Sequence, residues 1–113
     1  MNTNQVLLQV AEERQRQNEK WGQQNHDDHM WGLILGEKVG EACQAALHCM
    51  FPPRNTTLGR LEQRDQLRTE LIQVAAVAVA WIEALDRRCQ RPDECDQPTT
   101  CDGCPYDGAG DKP

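Results

Sequence analysis

Aromatic residues are scarce in this chain, with three Trp, one Tyr and one Phe among 113 residues. β-Branched residues are sparse too. The alternating Val, Ile, Thr and aromatic runs that specify strands are missing, and no strand signal appears anywhere. There is no clustered positive charge. Lys and Arg are scattered and the formal net charge is −6, which argues against a nucleic-acid polymer as partner, since that needs a basic footprint. The N-terminus, MNTNQVLLQVAEERQRQNEK, is polar and mixed in charge and does not read as a signal peptide. The nearest approach to a long apolar run, residues 71 to 82, is shorter than the roughly 20 residues a bilayer span requires. The sequence thus leads us to expect a cytoplasmic protein without a membrane partner. Its six cysteines are then thiols or metal ligands rather than a disulfide frame.

What the chain does contain is helix-forming residues. Ala, Leu, Gln, Glu and Arg dominate the first 90 positions. Thr3 or Asn4 can cap a first helix, which runs to about Lys20 and ends at Gly22. GQQNHDDH is a polar loop. Asp27 or Asp28 caps a second helix, from about His29 to Phe51, and Pro52 and Pro53 break the chain after it. A third helix runs from about Leu58 to Cys89, and Pro92 and Pro98 exclude its continuation. The expected architecture is all-α: a helical bundle of three main helices over residues 1–89, completed by self-association, with an irregular Cys-, Pro- and Gly-rich tail over 90–113. Self-association is expected because residues 71 to 82 carry one polar residue, Gln73. A helix apolar all round needs covering all round, and three helices of this size cannot surround one of their own. The expected assembly is a homodimer or a dimer of dimers.

Within this pattern three acids are conspicuous. Ile34, Glu37, Lys38, Glu41, Ala45 and His48 share one stripe of the second helix, and Val39, Cys43, Ala46 and Met50 the opposite one. Glu70 opens the apolar part of the third helix. If the two helices pack antiparallel, Glu37, Glu41 and Glu70 can converge on a hard cation such as Mg²⁺, which takes oxygen ligands. The competing reading is that all three are solvated. In the first loop, Trp21 can stack on a base, Asn25 or Gln24 can read its edge, Lys20 can meet phosphate and His26 can stack or donate. Equally, Trp21 and Trp31 can pack where helices cross, and Asn25 or His26 can cap the second helix. Trp81 reads as core, and Cys43 and Cys49 as small core residues. In the tail, Cys89, Cys95, Cys101 and Cys104 read either as a four-thiolate structural zinc site or as part of a disordered segment.

The stretches VAEERQRQNEKWGQQNH (10 to 26), LILGEKVGEACQA (33 to 45) and LRTELIQVAAVAVAWIEALDR (67 to 87) resemble the MazG-like all-α nucleoside triphosphate pyrophosphohydrolases of the short phage and bacterial type. That family reads Glu-Glu-x-x-Glu in the second helix and Glu-x-x-Asp in the third, and these acids hold Mg²⁺. The resemblance implies that Glu37, Glu41 and Glu70 are metal ligands and catalytic residues. Lys38 and Gln73 stand where the family pattern has Glu and Asp, and so become substrate-binding candidates alongside Lys20, Trp21, Asn25 and His26. The implied reaction is NTP or dNTP plus water to NMP plus pyrophosphate, with a glutamate taking the proton of water. Two alternatives remain: a nucleotide-binding module with weak or no hydrolysis, and a helical protein-interaction module whose apolar third helix is the interface.

Overall fold

A computed structural model describes residues 1–89, and these form three helices without a strand: α1 (Thr3–Trp21), α2 (Asp28–Met50) and α3 (Arg60–Cys89). The all-α, three-helix architecture expected from the sequence is therefore present. Residues Met1–Trp81 make one compact unit, and a second begins at Ile82. Of the second unit the described part, 82–89, is the last turns of α3.

The helix ends are set by side chains satisfying orphan backbone groups. Asn2, not Thr3 or Asn4, caps α1. Its Oδ1 accepts from the Gln5 backbone N–H at 2.9 Å, while Gln5 Oε1 accepts from the Asn2 N–H at 2.8 Å. This reciprocal capping box needs its two partners three residues apart, and Gln5 selects Asn2. Gly22, with φ 73°, ends α1 in a conformation that side chains disfavour, and its N–H donates to Asn18 O. Asp27 caps α2 by accepting from the Met30 N–H at 2.8 Å. The third helix starts at Arg60 rather than Leu58, because Gly59 takes the capping place. Its N–H donates to Glu62 Oε1 at 2.7 Å and its carbonyl accepts from the Gln63 N–H.

Helices α2 and α3 form an antiparallel hairpin. The Trp81 indole N–H donates to Asp28 Oδ1 at 2.9 Å, tying the first residue of α2 to α3 at the far end from the short connection through residues 51–59. Trp81, expected as core, is half-buried because its polar edge faces this carboxylate. The core of the first unit is built mainly from small side chains, with Val10, Ala42, Ala45, Ala76, Val77 and Ala80 buried around one large one, Trp31, which is 2% exposed.

The inward face of α2 is neither of the two stripes read from the sequence: Trp31 and Ala42, which belong to neither, turn inward together with Ala45 of the first, and Lys38 and Glu41 lie half-buried on the flank. Val39, Cys43 and Met50 face outward and are exposed. Cys43 is therefore not a core residue; it sits on the face opposite Trp31 and Ala42. Cys49 is half-buried. Gly36 and Gly40 also face open space, although each is roughly 1 kcal/mol less favourable than Ala in a helix interior. On α3, the segment 72–80 contains no exposed residue, because its Ala and Val side chains are short enough to be at least half-covered.

Candidate functional site

The hairpin decides which acids can meet. From Asp28, Glu41 lies about 20 Å along α2; from Trp81, Glu70 lies about 17 Å back along α3, at 1.5 Å per residue. Because the helices run antiparallel and are tied at Asp28 and Trp81, Glu41 and Glu70 fall in the same stretch of the hairpin. The condition that the sequence left open, antiparallel packing, is met.

Their environments differ. Glu70 is half-buried, and its Oε1 is wholly shielded and has no hydrogen-bond partner. A carboxylate oxygen in that position lacks what buried acceptors almost always have, and leaving one unsatisfied costs about 1–3 kcal/mol. Glu41 is paired: its Oε1 lies 3.4 Å from Lys38 Nζ, one turn earlier on α2. That distance is longer than the 2.7–2.9 Å typical of a strong charge-assisted bond, and both side chains are partly exposed. Such a pair contributes at most about 1 kcal/mol, so a divalent cation or a phosphate can displace either partner at little cost. Glu37 is exposed on the outer side of this flank, and Gln73 is half-buried on α3.

Among the described residues, no three His, Cys, Asp or Glu side chains come close enough together to hold a metal ion. Glu37, Glu41 and Glu70 are thus not gathered into one ligand set within the chain. The reason lies in α2: Glu37 is rotated away from the core face, and Lys38 engages Glu41. The zinc candidates Cys95, Cys101 and Cys104, and the side chain of Cys89, lie outside the described residues, as does the disorder expected of the tail.

The loop residues divide into exposed and buried. Trp21 is 53% exposed, with Lys20 Nζ 4.8 Å from its ring centroid. This places a cation on one aromatic face, a contact worth about 0.5–1 kcal/mol when exposed. Asn25 is exposed at the surface of the loop. His26 turns inward and meets Trp31 edge to face, ring centroids 5.0 Å apart and 79° between planes. His26 Nε2 and Trp31 Nε1 are both buried without a hydrogen-bond partner. Trp21 and Lys20 are therefore accessible to a ligand, whereas Trp31 belongs to the core.

One cleft escaped the sequence reading. Arg16, Glu12 and Glu13 of α1 and Arg68 and Thr69 of α3 line a hollow of about 180 Å³. Arg16 is bound to Glu13 at 2.8 Å, and Arg68 donates to the Met1 sulfur. Ligand pockets usually enclose about 300–1,000 Å³, so this cleft is too small for a nucleotide. The alternation of Glu and Arg along α1 is common on solvated helices and gave no signal for it.

Compared with protein-family models, curated proteins and solved structures, the chain has no match. No helix among the described residues is long and apolar enough to cross a membrane.

Proposed function

We propose that the protein is a Mg²⁺-dependent nucleotide pyrophosphohydrolase that converts an NTP or dNTP to the monophosphate and pyrophosphate. The observation that carries this reading is the buried, partnerless Oε1 of Glu70, in the same stretch of the hairpin as Glu41. An oxygen of that kind fits a cation better than it fits solvent. The sequence resemblance gives Glu37, Glu41 and Glu70 as the ligand set; completing it would require Lys38 to release Glu41 and Glu37 to be brought round from the outer side of α2. Mg²⁺ held there supplies charge neutralisation of the triphosphate and polarisation of the α-phosphoryl group.

The chain's own residues do the rest. Glu41 or Glu70 takes a proton from the attacking water. Lys38, freed from Glu41, meets a phosphate oxygen as a compact point charge. Gln73 is one turn from Glu70, whereas Trp21, Asn25 and His26 belong to the Asp28 end of α2, about 20 Å from Glu41, so they would stack on and flank the same nucleotide only where a second copy of the chain brings them to these acids. A homodimer or dimer of dimers is part of the same reading. A second reading, a nucleotide-binding module with little hydrolysis, is favoured by the Lys38–Glu41 pair, which puts an ammonium where the family has a carboxylate.

The deciding assay incubates the protein with Mg²⁺ and a panel of NTPs and dNTPs and measures pyrophosphate against phosphate. We expect pyrophosphate from at least one nucleotide. Binding without turnover selects the module, and neither binding nor turnover removes both readings. Lys38→Glu sharpens the choice. A unit charge a few ångströms from phosphate is worth roughly 1–4 kcal/mol, so nucleotide affinity at fixed Mg²⁺ should fall about tenfold or more. Faster hydrolysis by Lys38→Glu would instead show that Lys38 had displaced a useful ligand.

A further inference from the structure

Helices α1 and α3 leave a hollow of about 180 Å³ between them, and its charges do not all satisfy one another. On α1, Gln9, Glu12, Glu13 and Arg16 line it from one helix face, since they recur at spacings of three and four. On α3, Arg68, Thr69 and Ile72 line the other side. Glu70 does not line it although it follows Thr69, because successive helix residues are turned by about 100°. The hollow is thus separate from the acids proposed above to hold Mg²⁺.

Two of its four charges are matched and two are not. Glu13 Oε1 accepts from Arg16 Nε at 2.9 Å and Nη2 at 2.8 Å, and its Oε2 accepts from Gln17 Nε2 at 3.3 Å. The Glu13 side chain is only 15% exposed, so Arg16 is held against a fixed, shielded acid. Arg68 has no such partner. Its Nη2 donates to the Met1 sulfur at 3.2 Å, and a thioether is a weak acceptor. Glu12 makes no side-chain hydrogen bond or ion pair among the described residues. A cation on α3 and an anion on α1 therefore line one hollow without pairing, and both are exposed to an incoming ligand.

We propose that this cleft binds a small free α-amino acid as its zwitterion. The ligand's α-carboxylate lies on the Arg68 guanidinium, whose planar fork gives a carboxylate two parallel N–H···O bonds. Its α-ammonium meets Glu12, and its side chain faces Ile72, the apolar lining residue. Charge selects a zwitterion. Two acids and two arginines make the lining neutral, on a chain of net charge −6. A polyanion such as pyrophosphate would meet the repulsion of Glu12 and Glu13, and a simple amine that of Arg16 and Arg68. A molecule carrying both signs on one carbon bridges Arg68 and Glu12 and repels neither. Size agrees. An engineered cavity of roughly 150 Å³ takes up benzene, so this hollow accommodates about seven non-hydrogen atoms, as in alanine, serine, threonine or valine.

The test is an amide-detected NMR titration of the full chain, in chelator, with each of these four amino acids and with isobutyrate, isopropylamine and pyrophosphate as controls. At least one amino acid should shift the amides of residues 9–16 and 68–72 saturably, with a dissociation constant of roughly 0.1–1 mM, weak because the cleft is open and its charges are screened. Glu12→Gln and Arg68→Gln should each raise that constant about tenfold or more, since each removes one of the two charge-assisted contacts. Helicity by circular dichroism should be unchanged in both, because the positions are exposed and Gln is a good helix former. The controls, each lacking one of the two charges, should bind at least about tenfold more weakly for the same reason. No saturable shift by any of the four at about 20 mM overturns the proposal, as does wild-type affinity in either substituted protein. Isobutyrate or pyrophosphate binding as tightly as the amino acids overturns it in favour of a plain anion site. The chelator keeps Mg²⁺ from carrying pyrophosphate to Glu41 and Glu70, so the result is independent of the nucleotide reading.

Discussion

Glu41→Gln and Glu70→Gln are each expected to lower Mg²⁺-dependent pyrophosphate release by about 100-fold or more, while the helical fold survives. Gln keeps the shape of Glu but removes its charge, and an uncharged amide is a poor partner for a hard cation. It also cannot serve as a general base, a role worth about 10²- to 10⁴-fold in rate. The structural cost is small. Losing the Lys38–Glu41 pair, at 3.4 Å and partly exposed, removes at most about 1 kcal/mol. At Glu70, the amide replaces an anion whose Oε1 is buried without a partner, so the metal-free protein should melt no lower and possesses reason to melt higher. The check is initial rates at saturating Mg²⁺ together with thermal unfolding in chelator. Unchanged turnover in both variants would return these acids to the solvated reading.

Trp31→Ala has the largest expected effect on stability. Among the described residues Trp31 is the one large side chain that is fully buried, and the apolar core around it is Ala and Val, too small to collapse into the space it would leave. Truncating a buried Trp costs about 3–5 kcal/mol, comparable to the whole stability of a marginal small domain. His26 would lose its edge-to-face contact as well. Trp31→Phe separates volume from polarity. It keeps most of the packing and removes an indole N–H that is buried without a partner, so it should cost clearly less than the alanine variant. Urea unfolding followed by circular dichroism distinguishes these outcomes. A loss below about 1 kcal/mol for Trp31→Ala would mean that the core does not depend on this residue.

The amino-acid sequence by itself determined the three helices and their limits, because these are local matters. Periodicity, Gly22, Pro52 and Pro53, and a capping side chain near each start act within a few residues of one another. The errors were of the same local size: Asn2 rather than Thr3 or Asn4 as cap, and Arg60 rather than Leu58 as first residue, each selected by a partner three residues away. The sequence also put Glu41 on one stripe with Ala45, and left open whether that acid is a ligand or solvated. Only the tertiary structure decided which face of α2 turns inward. Hydrophobicity does not separate Trp31, Ala42 and Ala45 from Leu33, Cys43 and Leu47; packing against the rest of the fold does. Tertiary structure likewise set the antiparallel pairing that brings Glu41 and Glu70 into the same stretch of the hairpin, through a bond between Asp28 and Trp81. It engaged Lys38 with Glu41 and left Glu37 and Cys43 facing outward. Facts of this kind depend on atoms distant in sequence, or on the rotation of a whole helix, and a one-dimensional pattern does not carry them.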